Sequence, residues 1–179
     1  PVTILRPAHT YGEGGGLVHS LGWRTYLIDR IRRGLPIIVH GDGQSLWASC
    51  HIDDVAAAFV AAAGNPRAFG RAYHVTGEQW LTWNQYYQGM AVALDAPEPR
   101  LVHIPSHLLA RLAPEARICV ENFQFDNIFD NSAARADLGF AQTVLWREGV
   151  RRTVAWLDAH ARVERAEACP EYDRVLERW

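Results

Sequence analysis

The chain of 179 residues is 49% hydrophobic and 21% charged, which places it among soluble globular domains and makes it long enough to bury a core. Its formal charge of -2 offers no concentration of cations on which counterion release could act, so a bulk nucleic-acid binder is not expected. No apolar run reaches the roughly 18 residues of a membrane span and no basic-then-apolar leader opens the chain. Three widely spaced cysteines, Cys50, Cys119 and Cys169, make neither a metal pair nor a disulfide framework, which fits a reducing cytoplasm.

The chain opens on Pro1-Val2-Thr3-Ile4-Leu5, a β-branched run with no leading turn, as if a fold were already under way. Val2 to Arg6 is predicted to be a strand that stops at Pro7, apolar on both faces as an internal parallel strand would be. The glycine-rich turn Gly12 to Gly16 then leads to a helix over about residues 17 to 33, with Arg30, Arg32 and Arg33 at its dipole-favoured end and Gly34 as its stop. Pro36 to His40 and Leu46 to Ile52 are predicted strands joined by the turn Gly41-Asp42-Gly43. Asp53 or Asp54 is expected to cap an alanine-rich helix that ends at Gly64-Asn65-Pro66.

Ala72 to Thr76 is the next strand. Thr82-Trp83-Asn84-Gln85 has capping-box spacing and opens a helix to about Leu94. Leu101 to Ile104 is a short strand, and Ser106 is placed to cap the next helix. The remainder is expected to be mainly helical, over residues 131 to 138 with Gly139 as the stop, from Leu145 to Arg162, and from Glu171 to Trp179. Strands alternating with helices give an α/β layer architecture. Ligands in such sheets sit beyond the carboxyl ends of parallel strands, which directs attention to Pro7 to Tyr11.

Several segments carry a resemblance. Leu5-Arg6-Pro7-Ala8-His9-Thr10-Tyr11-Gly12, then Gly41-Asp42-Gly43 with His51-Ile52-Asp53-Asp54-Val55-Ala56, resemble consecutive segments of the extended short-chain dehydrogenase/reductase, or NAD-dependent epimerase/dehydratase, family. Tyr73-His74-Val75-Thr76-Gly77, Asp130-Asn131-Ser132 with Leu138-Gly139-Phe140, and Glu148-Gly149-Val150 follow in family order. The resemblance implies the C-terminal portion of a Rossmann-type fold. Residues 1-12 and 53-76 would be remnants of the dinucleotide-binding domain, and 13-52 and 77-179 a mainly helical substrate-binding domain.

NAD or NADP is the implied cofactor, and a sugar-like or other hydroxylated small molecule the implied substrate. That family moves a proton through a tyrosine with a lysine four positions on. Here all 18 basic residues are arginine, and Gly12 to Gly16 lacks GxGxxG spacing. No catalytic residue is therefore expected in this chain, which is expected to be inactive alone. The alternative is a non-catalytic or RNA-binding atypical relative. The resemblance also leaves room for a homodimer.

His9 would face substrate near the nicotinamide, where an imidazole can orient hydroxyls; the alternative is a loop histidine satisfied by backbone carbonyls. The resemblance places Tyr11 on the substrate side and Pro7 and Ala8 beside the cofactor, with Pro7 also ending the strand. At Trp47 nucleotide-sugar enzymes of the family often carry an arginine. An indole stacks on a sugar or apolar ring but cannot neutralise a diphosphate; the equal alternative is a core tryptophan. Adjacent Asp53 and Asp54 do not converge on one ion, and no HxH or HExxH cluster exists, so no metal is expected. Trp80 and Trp83 are expected to pack, and Arg151-Arg152 to be a solvated helix face.

Overall fold

The structure, a computed structural model, describes all of residues 1–179. The first apolar run forms β1 (Ile4–Arg6), which lies parallel to β5 (Ala72–His74) with Leu5 opposite Tyr73. Helices α2 (Ile52–Ala62) and α5 (Ser132–Leu138) pack on this pair. They bury Cys50, Val55, Ala58, Ala68, Tyr73, Val75, Ala134 and Phe140 as the smaller of two hydrophobic clusters. Alternation along a strand sends every second side chain the other way, and there Val2 and Ile4 remain 70% and 48% exposed.

Past Pro7 the chain forms a second short strand, β2 (His9–Tyr11), parallel to the last half of β4 (Leu46–His51). The first half of β4 pairs antiparallel with β6 (Trp80–Thr82). Strand β3 (Ile37–His40) joins β7 (Leu101–Ile104) in a separate parallel pair. The turn at Gly41-Asp42-Gly43 exists, with both glycines at positive φ, but β3 and β4 do not pair across it. Both strands are buried almost throughout, so neither shows the alternation that would have indicated its neighbours.

The helix expected over 17 to 33 is confined to α1 (Tyr26–Arg32). Before it, His19 and Gly22 exchange both backbone hydrogen bonds, at 2.8 and 2.9 Å, and Gly22 takes φ 110°. Leu17, Val18 and Leu21 are buried from a loop, and their spacing imitates one face of a helix. α3 (Trp83–Ala93) begins with the expected capping box: Thr82 accepts from the Gln85 backbone and Gln85 accepts from that of Thr82. α4 (Ser106–Leu112) has Pro105, not Ser106, at its N-cap. Gly139 closes α5 in the left-handed conformation, as a C′ glycine does. With α6 (Trp146–Ala159) and α7 (Pro170–Arg178), α1, α3 and the β3–β7 pair enclose the larger core cluster.

Candidate functional site

Strand β4 is the seam of the molecule: Trp47 belongs to the larger core cluster and Cys50 to the smaller. Parallel register sets His9 opposite Ser49 and Tyr11 opposite His51. Since alternate residues share a face, His9 and Tyr11 of β2 and Trp47, Ser49 and His51 of β4 leave the sheet on one side. Three residues expected at the site are thereby brought together. The His9 ring centroid lies 6.0 Å from Tyr11 and 5.7 Å from Trp47. Pro7, exposed, and Ala8, partly buried, form the link from the carboxyl end of β1 to β2.

His9 Nδ1 is 2.9 Å from Ser49 Oγ, while its Nε2 is buried with no partner in the protein. Burial disfavours the charged imidazole and pushes its pKa down to about 4, so the ring is neutral at physiological pH. The Tyr11 hydroxyl is likewise buried without a partner. Burial, then the Cys50 and Asp54 charges, hold it well above the usual phenol range. Its ring sits against Trp146 at 4.8 Å and edge-on to His51 at 5.5 Å. Gly149 of α6 makes that approach available, because a methyl there would overlap the Tyr11 ring and hydroxyl.

Trp47 is only 8% exposed and packs on Trp83 at 5.0 Å and Phe123 at 4.9 Å. Packing accounts for most of its surface, and little of its indole face is free to stack on a ligand. Trp83 packs as expected, at 0% exposure, but Trp80 is 50% exposed. Trp80 lies opposite Ala48, so it leaves β6 on the face away from Trp47. There it lines an open cleft of about 490 Å³ with Phe129, Asn131 and Arg135. None of His9, Tyr11 or Trp47 lines that cleft.

Several site features were not anticipated. The N-cap of α2 is His51, whose Nδ1 accepts from the Asp53 backbone at 3.3 Å; neither aspartate is the cap. Asp54 instead turns inward and accepts from Thr143 N, Thr143 Oγ1 and Val144 N at 3.1, 2.5 and 3.0 Å. Arg152 remains partly exposed but is ion-paired, to Glu13 at 3.0 Å and Asp53 at 2.5 Å. His51 Nε2 is 3.1 Å from Glu13, close but not aligned as a hydrogen bond. Burial opposes ionisation of Glu13, yet its own backbone, Arg152 and His51 together hold its carboxyl below the usual range. The Arg152 hydrogen bond does the same for Asp53. The usable signal was a Glu in a glycine loop together with an Arg on a distant helix, which sequence spacing cannot pair.

The glycine loop does not suit a pyrophosphate. A methyl at Gly12 would press on Ile52, and one at Gly16 would overlap the Trp23 backbone. These glycines serve internal packing, and no helix begins there until Tyr26. The phosphate-binding arrangement of glycine turn and helix N-terminus is thus absent. What could meet a dinucleotide is the end of β1, at Pro7 and Ala8.

Residues 1–76 match the family model described as the NAD dependent epimerase/dehydratase family. Over 101 residues the chain is 29% identical to the chloroplast stem-loop binding protein of 41 kDa b of Arabidopsis thaliana, covering 56% of this chain and 26% of that protein. It is 27% identical over 133 residues to dTDP-glucose 4,6-dehydratase of Actinoplanes sp., covering 74% of this chain and 37% of that enzyme. The crystal structure of UDP-glucuronic acid 4-epimerase from Bacillus cereus in complex with NAD superposes with a TM-score of 0.66 at 17% identity. That match covers 92% of this chain and 46% of the epimerase, so the chain spans less than half the length of these relatives.

Proposed function

We propose that the chain, whose residues 1–76 match the NAD dependent epimerase/dehydratase family model and whose fold superposes on such an epimerase, is the substrate-facing C-terminal part of an NAD(P)-dependent epimerase, dehydratase or reductase. The observation that carries this reading is the placement of His9, Tyr11 and Trp47 on one face just beyond the carboxyl end of β1. Ligands of open α/β sheets bind at that position. Residues 1-12 and 53-76 then belong to the dinucleotide side and 13-52 and 77-179 to the substrate side, with α5 reaching back to cover the β1–β5 pair. Three free, buried cysteines accord with work in the cytoplasm.

A nicotinamide bound beside Pro7 and Ala8 would supply hydride acceptance and donation. The chain's own residues orient and enclose. His9, neutral, hydrogen-bonds a substrate oxygen through Nε2, and Tyr11 and Trp47 form the wall that holds the imidazole. His9, Tyr11 and Trp47 themselves carry no cation at neutral pH, and Arg152, which acts on Tyr11, is committed to Glu13 and Asp53. A diphosphate would need an arginine fork, so the part of the substrate that meets His9 is an uncharged, hydroxylated group. An RNA-binding role has less support: the formal charge is -2 and eleven of the 18 arginines already lie within 4 Å of a carboxylate.

Two measurements test this. Calorimetric titration of the isolated chain with NAD and NADP should show at most weak binding; micromolar or tighter affinity would mean the cofactor site has been misplaced. In the full-length protein, His9→Ala and Trp47→Phe should weaken binding of hydroxylated substrates more than of the cofactor. Trp47→Phe is preferable to Trp47→Ala because it keeps the core filled. Robust turnover of a nucleotide-diphospho sugar, unaffected by both changes, would reject the substrate assignment.

A further inference from the structure

We propose that Ser49 is a positioning residue that locks His9 in the Nε2–H tautomer, so that the imidazole presents a hydrogen-bond donor, not an acceptor, to an oxygen of the ligand. This rests on the reading of His9 as the residue that meets the ligand. The geometry begins with the register: Ser49 stands directly opposite His9 across the β2–β4 ladder, and their side chains meet at 2.9 Å. In a neutral imidazole one nitrogen donates and the other accepts, and the partner of one fixes the role of the other.

Two arrangements of that contact are open to the pair. If His9 Nδ1 donated to Ser49, the serine proton would have no acceptor, for Ser49 is 7% exposed and makes no other side-chain hydrogen bond. His9 Nε2 would then be a second unsatisfied atom, as a bare acceptor. If Ser49 donates to Nδ1, only the Nε2–H is left over. A buried donor without a partner is costly, so the arrangement with one such group is preferred to that with two. The remaining Nε2–H is the group a ligand oxygen completes. The serine is itself held from behind. Gly77, just past β5, lies so close to the Ser49 carbonyl that any side chain at 77 would overlap it. The backbone of Ser49 is thus closely packed, in addition to being fixed in register opposite His9.

The test is a tautomer measurement on the chain labelled with 15N-histidine, using long-range proton–nitrogen correlation and His9→Gln to assign the ring. The wild type should show well separated ring nitrogens with the proton on Nε2. Ser49→Ala should lose that pattern, with the two nitrogens moving toward averaged shifts, while Ser49→Thr, which keeps the hydroxyl, should retain it. A proton on Nδ1 in the wild type overturns the proposal whether or not any variant folds. So does an unchanged His9 signature in a folded Ser49→Ala chain. A full-length enzyme whose substrate binding ignores His9→Ala would instead remove the ligand-facing role of His9, while leaving the tautomer result as it stands.

Discussion

Asp54 shows how a single residue joins distant segments. The residue is 3% exposed, and its carboxylate is the acceptor for two backbone amides and a hydroxyl of residues 143–144. Asp54→Ala would leave the buried Val144 amide unpaired and release the segment that enters α6, at a cost of about 2–4 kcal/mol. Asp54→Asn, which keeps one acceptor oxygen, should cost less, and the shift in urea midpoint at constant m separates the two. Buried histidines set the acid limit. Burial pushes His9, His19 and His40 down to about 4 from 6.5, so between those values the unfolded chain binds more protons than the folded one. Stability is therefore full above pH 6.5 and falls as pH drops toward 4, by up to about 1.4 kcal/mol per pH unit for each histidine. Urea midpoints measured between pH 7 and 4.5 check this; a flat profile would mean that these rings ionise freely in the fold.

At the scale of elements, Gly149 sets two effects against each other. Glycine inside a helix costs about 1 kcal/mol relative to alanine, so Gly149→Ala would ordinarily stabilise α6. Here the new methyl meets the Tyr11 ring and hydroxyl, which are wedged against His51 and Trp146. Overpacking of a filled core costs about 1–3 kcal/mol, and the net change should be a loss, read as a lower melting temperature that Tyr11→Phe only partly restores. Elements governed by local chemistry were legible in the sequence. The Thr82–Gln85 capping box, the Gly139 stop, the Leu101–Ile104 strand and the parallel β1–β5 pair all come from short-range signals or family order. Thr82→Ala should accordingly cost about 1 kcal/mol, measured by chemical denaturation. The illegible parts depended on tertiary partners. The 17–25 segment is a loop whose buried residues imitate a helix face. The partners of β3 and β4 are hidden because both strands are buried almost throughout. His9, Tyr11 and Trp47, singled out from sequence, do lie side by side, but Ser49 and the Glu13–His51–Asp53–Arg152 network were not legible there. Their members are brought together by strand register and by α6, neither of which spacing encodes.

The whole molecule is two cores of unequal security that meet at β4. The larger encloses β3, every residue of which is buried, together with α1, α3 and α6. The smaller covers only one face of the β1–β5 pair, with Val2 and Ile4 exposed on the other. Strand β1 has a single neighbour, β5, and its three residues show no buried position. Local stability tracks buried apolar contact and the shielding of backbone hydrogen bonds, so the two parts should not open together. Native-state hydrogen exchange is expected to show β3 and β7 amides exchanging through global unfolding, and β1 and β5 amides through a smaller, sub-global opening that leaves the larger core intact. His9 stands at the boundary, one strand beyond β1, so opening of the smaller core would disturb the site before the fold is lost. The discriminating measurement is the denaturant dependence of exchange. β1 and β5 amides should show a shallow slope at low denaturant and merge with the global isotherm only near the midpoint. Equal protection and equal slopes for β1 and β3 would show instead that β4 welds the clusters into one cooperative unit, and that the exposed face of β1 carries no penalty in stability.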